Sequence, residues 1–150
     1  MRKLFVLSLI GFLCSFAFAF RASESKQIEN DIFGYYFISG KVPKAFADIN
    51  HIHLAGNYGK QQKPLFYGLV RLKNGKDFPI LSVTLNGKKV SFITKTVGGV
   101  HYYFNGTFTR LSDFPSNPPQ GIILQGKLSK LKNNKKFADT NVKFRYEAGD

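Results

Sequence analysis

Histidine offers the first chemistry in this 150-residue chain, because His51-Ile52-His53 places two imidazoles two positions apart. On a β-strand such residues share a face and can present two nitrogens to one metal ion. His101 is the third histidine. A set of His51, His53 and His101 would suit zinc or copper, and with it a small metal-dependent enzyme. Against this, no glutamate lies between His53 and His101 to complete the ligand order that follows such a pair in cupins. The plainer alternative is two surface histidines set against buried Ile52 and Leu54.

Carboxylate chemistry is harder to assemble. Of the nine acidic residues, Asp48, Asp77, Asp113 and Asp139 are the ones away from the termini, and no two of them are near in sequence. The chain contains no Gly-x-Ser-x-Gly elbow, phosphate loop, dinucleotide fingerprint or paired-cysteine motif. The expectation is a protein that is not an enzyme and holds no cofactor.

Cations and aromatics are more abundant. The 22 Lys and Arg outnumber the acidic residues to give a formal charge of +13. Lys127, Lys130, Lys132, Lys135, Lys136, Lys143 and Arg145 crowd the C-terminal part, an expected basic patch for an anionic envelope component or an acidic protein partner. Nucleic acid is disfavoured for an exported chain. Aromatic side chains make up 15% of residues, all Phe and Tyr. Tyr36, Phe66, Phe92, Tyr102, Phe104 and Phe144 are expected to face inward and either fill the core or line a pocket for one small apolar or amphipathic molecule.

The start of the chain addresses its destination. Met1-Arg2-Lys3 followed by the apolar run Leu4 to Phe18 and by Ala17-Phe18-Ala19 reads as a signal peptide of residues 1–19, too short for a convincing transmembrane span. Cleavage after Ala19 would remove Cys14, the single cysteine, and exclude disulfides and thiolate chemistry from the remainder. It would also leave no transmembrane anchor. The brief Phe-rich leader and lysine-rich body point to a bacterial periplasmic or secreted protein. Residues 20–31 are polar and read as a flexible segment, leaving 32–150 as one domain.

The elements that must position these residues are strands. Short apolar runs at 33–41, 51–55, 66–72, 78–85, 89–95, 100–110, 121–131 and 137–146 are separated by turn residues. Asn74-Gly75 and Asn86-Gly87 suit type I′ hairpins, and Gly98-Gly99 and Asn133-Asn134 can serve two further reversals. Alternation places Val100, Tyr102, Phe104 and Phe108 on one face, as it does Leu81/Val83/Leu85, Ile122/Leu124/Leu128 and Val142/Phe144/Tyr146. Residues 111–120, with Pro115, Pro118 and Pro119, form a loop. Pro43 to Ile49 is the one stretch that looks helical, placed to cap an open end.

About eight antiparallel strands in one small domain must close or fold into two layers to hide an apolar face and two edges. The expected fold is therefore all-β, a small antiparallel barrel of largely meander order, with a two-layer β-sandwich as the alternative. Over Gly34-Tyr35-Tyr36 and Arg145 alone, the chain resembles lipocalin-like barrels, whose glycine-x-tryptophan start packs against an arginine of the last strand. This sequence has no tryptophan. The functional expectation is an exported, non-enzymatic β domain binding a small apolar or amphipathic ligand or an anionic envelope component, with an interaction module or a metal enzyme as alternatives.

Overall fold

A computed structural model describes residues 32–56, 66–111, 114 and 116–148. The expected signal peptide and the polar segment 20–31 lie outside the described residues, as does the side chain of Phe66. Eight strands follow one another as β1 Gly34–Ser39, β2 Ile49–Gly56, β3 Phe66–Leu72, β4 Asp77–Asn86, β5 Lys89–Thr94, β6 Val100–Phe108, β7 Ile122–Lys132 and β8 Lys135–Glu147. Each pairs antiparallel with the next, and β8 returns to β1 to close an eight-stranded barrel in meander order. The barrel, rather than the sandwich, is the architecture.

Turn chemistry explains the connections. Gly98-Gly99 and Asn133-Asn134 have positive φ at both residues, at 60° and 75° and at 50° and 61° respectively, the backbone signs of a type I′ turn. At Asn86-Gly87 the expectation needs correction. Asn86 pairs with Lys89, so the two loop residues are Gly87 and Lys88, and Gly87 alone has positive φ. Glycine at the first loop position is the pattern of type II′. At Asn74-Gly75 the longer turn closes with Gly75 N–H donating to the Leu72 carbonyl, and again it is Gly75 that has positive φ.

Strand alternation fills the interior with Tyr36, Ile52, Leu54, Val70, Phe92, Tyr102, Phe104, Leu128 and Phe144. One expected set breaks. Ile80 pairs with Thr94 and Ser82 with Ile93, so Leu81 is an extra residue in β4 and turns outward at 61% exposure, while Val83 and Leu85 pack on the core. A second register shift follows Ile122, and Ile123 is buried beside Leu124. The helical expectation at 43–49 reduces to a 3-10 turn, Lys44–Phe46, with Ile49 already in β2.

Both ends are plugged by side chains. Phe46 of the 3-10 turn is fully buried at one end. At the other, Ile32 and Phe114 are buried, and Phe114 meets Tyr146 edge-on at 5.1 Å. Phe114 belongs to the proline-rich connection, whose Arg110 donates to the Asn117 carbonyl at 2.8 Å.

The strands are unequal, which leaves two overhangs. β1 pairs with residues 143 to 147 of β8 and β3 with residues 77 to 79 of β4, so among the described residues the rest of each longer strand has a partner on one side only.

A candidate ligand-binding trough

Two glycines line a concavity on the outer surface of the barrel. Gly106 of β6 pairs directly with Gly126 of β7, in an inward-facing row completed by Val90 and Val142. A Cβ on Gly126 would stand 2.3 Å from the Asn105 carbonyl oxygen, and one on Gly106 would stand 2.5 Å from that of Gln125. Only glycine permits this approach. The Phe104 ring fills the space beneath Gly106, where a Cβ would stand 2.3 Å from its Cζ, and the two glycines line the floor of an outer-surface trough of about 650 Å³.

The walls are outward residues of four strands. Register places Ser39, Lys143, Gln125 and Thr107 in one cross-strand row, with Asn141 and Asn105 in the next outward row on the same wall system. Lys41 and Val42, just beyond β1, complete the lining. Its polar side chains are amides, hydroxyls and two ammonium groups, set beside the aliphatic Val42 and Val142, and among the described residues no carboxylate, histidine or aromatic ring lines it. Amides and hydroxyls both donate and accept hydrogen bonds, whereas ammonium groups only donate and attract negative charge. Neither Lys41 nor Lys143 has an ion-pair partner among the described residues.

The expected basic patch is divided differently. Asp139 takes both Lys127 at 3.0 Å and Lys136 at 3.1 Å, and those two hydrogen bonds hold its carboxyl below the usual carboxylate range. Arg145 pairs with Glu147 and lies over the Phe37 ring at 5.3 Å. It therefore faces outward and does not pack on Tyr36, unlike the arginine of the barrels that the chain resembles. Lys130 is turned toward the plugged end: its ammonium donates to the Ala45 carbonyl at 3.1 Å, approaches Asp48 at 3.4 Å and lies 5.6 Å from the Tyr102 ring centre. Lys132 and Lys135 flank the hairpin turn, and Lys143 alone of the seven enters the trough.

The six aromatic residues expected inside divide less. Tyr36, Phe92, Tyr102, Phe104 and Phe144 are all buried. Their rings touch: Phe92 stacks on Phe104 at 5.4 Å, Phe104 meets Phe144 edge-on at 5.6 Å, and Tyr102 meets Phe78 edge-on at 5.0 Å. Burial, with Asp48 nearby, pushes the Tyr102 phenol above its ordinary range, and its hydroxyl has no partner among the described residues. For Phe66 only the backbone, paired with Gly56, is described.

The histidines do not form the expected set. His51 and His53 share the outer face of β2, but His101 sits on β6, four strands away around an eight-stranded barrel. Among the described residues no group of three or more His, Cys, Asp or Glu is placed to hold a metal ion. His53 instead stacks on Tyr35 at 4.6 Å, and His51 meets Tyr35 edge-on at 5.0 Å. Register sets Arg71 beside His51, and Asp77 clamps that guanidinium at 2.7 and 2.6 Å. Burial first, then Arg71 and His53, push the His51 imidazole below its ordinary range, while burial and Arg71 do the same to His53.

Comparison with known proteins adds no assignment: no family model matches the chain, nor does any curated protein or solved structure. The trough residues other than Lys143 escaped the reading of sequence patterns. Gly106 and Gly126 were the available signal, since a glycine inside a strand marks a close backbone approach.

Proposed function

We propose that this chain is an exported, non-enzymatic binding domain that takes an anionic, hydroxyl-rich ligand, such as an acidic sugar of a bacterial envelope, in the β6–β7–β8–β1 trough. The observation that carries this reading is the lining itself: among the described residues, Lys41 and Lys143 stand without an ion pair beside Asn105, Gln125, Asn141, Ser39 and Thr107, with no carboxylate to repel an anion. Ammonium groups supply attraction to a carboxylate or phosphate, and fixed amides and hydroxyls recognise ligand hydroxyls. The volume falls within the class of small-molecule sites. The same inventory supplies no general acid or base tuned near neutrality and no activated nucleophile, which supports binding over catalysis.

Of the two ligand chemistries expected from sequence, the touching interior rings favour the anionic one, because an apolar ligand would have to separate Phe92, Phe104 and Phe144. Isothermal titration with glucose 6-phosphate, galacturonate and neutral glucose tests the reading. The charged sugars should bind more tightly than glucose, and Lys41→Ala with Lys143→Ala should weaken them by about tenfold or more, as befits two lost charge-assisted contacts. Equal binding of all three sugars, or no effect of the double variant, would contradict it.

A further inference from the structure

We propose that the free edge of β4 is a pairing surface for a second copy of this chain, joined strand to strand about a two-fold axis. β3 pairs with β4 only from Arg71↔Asp77 to Leu69↔Pro79, after which β4 continues to Asn86 with β5 alone beside it among the described residues. Continuing the register would set Tyr67 opposite Leu81. The strands part there instead, and both side chains are exposed, at 52% and 61%.

The composition of that edge selects the occupant. Leu81-Ser82-Val83-Thr84-Leu85-Asn86 contains no charged residue and no proline in a chain of net charge +13. Natural edges are usually guarded by charges, and the second overhang shows the guard in place, because β8 beyond its pairing with β1 carries Lys135, Lys136 and Asp139. Two copies of so basic a chain repel one another over most orientations. Their approach is least opposed along the strip that lacks charge. A two-fold axis at Val83 would set Ser82 opposite Thr84 of the second copy and leave Lys88 beyond the paired residues, and Leu81 and Tyr67 supply apolar cover. An acidic peptide, the natural partner of the lysine-bearing surfaces, finds no cation here.

The strip is six residues, about 20 Å of strand, so the dimer belongs to the small, concentration-dependent class. Sedimentation of the full chain from the low to the high micromolar range should show a rise from monomer to dimer mass, and added salt should strengthen it by screening repulsion. Ser82→Lys and Thr84→Lys, both at exposed outward positions, should each weaken dimerisation by about tenfold or more, since they bring like charges together across the axis. Hydrogen exchange on the unaltered protein is an independent readout, with the amides of residues 82–86 becoming better protected as concentration rises. A monomer at every concentration, a dimer indifferent to both substitutions, or protection in 82–86 independent of concentration would each overturn the proposal.

Discussion

Gly126 bears the sharpest local consequence of the fold. Its missing side chain is what lets β6 and β7 press together, with backbone atoms where a Cβ would stand at 2.3 and 2.4 Å. Gly126→Ala should therefore destabilise the barrel by about 2 kcal/mol or more, as overpacking at a rigid backbone contact does, read as a lowered denaturation midpoint. Tyr102 has the opposite sign. Its hydroxyl is buried with no partner among the described residues, so Tyr102→Phe should leave stability unchanged or raise it by about 1 kcal/mol. A clear loss in chemical denaturation would show that the hydroxyl is engaged. His51 and His53 both titrate below the ordinary histidine range in the folded chain. The unfolded chain then binds more protons as pH falls through about 6.5, so stability that is full above that pH is lost on acidification from there toward the lower folded values. Thermal melting from pH 8 to pH 5 should show the decline, and His51→Gln should flatten it. The Arg71–Asp77 pair is not the source, because the Asp77 carboxyl is held below the carboxylate range and titrates at more acidic pH.

At the scale of elements, plugs matter as much as strands. Phe46 closes one end of the barrel from a single turn of 3-10 helix, fully buried. Phe46→Ala should cost about 3–5 kcal/mol, measured in denaturant, because the short turn has few ways to collapse onto the gap. The eight strands were legible in the sequence because turn residues punctuate them and because Val100, Tyr102, Phe104 and Phe108 hold one face, with Gly106 the one gap in the alternation. Leu81 shows where that legibility ended: the extra residue in β4 is set by pairing with β5, a non-local event that no period-two pattern records. The turn at Gly87 was legible as a hairpin but not as its type. Local residue preference marked the reversal, and the register of Asn86 with Lys89 decided which residues occupy it.

Across the whole molecule, charge was legible as a total and not as a distribution. Lys130 reads as one more surface lysine until the tilt of the strands carries it under the 3-10 turn to Asp48. Asp139 likewise engages two lysines that sequence alone assigns to an open patch. Of the lysines without an ion pair among the described residues, Lys41 and Lys143 stand in the trough beside five neutral polar side chains. Salt should consequently act in opposite directions on the two association events, weakening the anionic ligand in the trough and strengthening the β4 dimer. The most direct test of the central claim is backbone chemical-shift mapping during titration with galacturonate. The trough account predicts shifts concentrated at residues 105–107, 125–126 and 141–143, and their disappearance in the variant combining Lys41→Ala with Lys143→Ala. Shifts confined to the strands around Phe92, Phe104 and Phe144, or none at all, would contradict it.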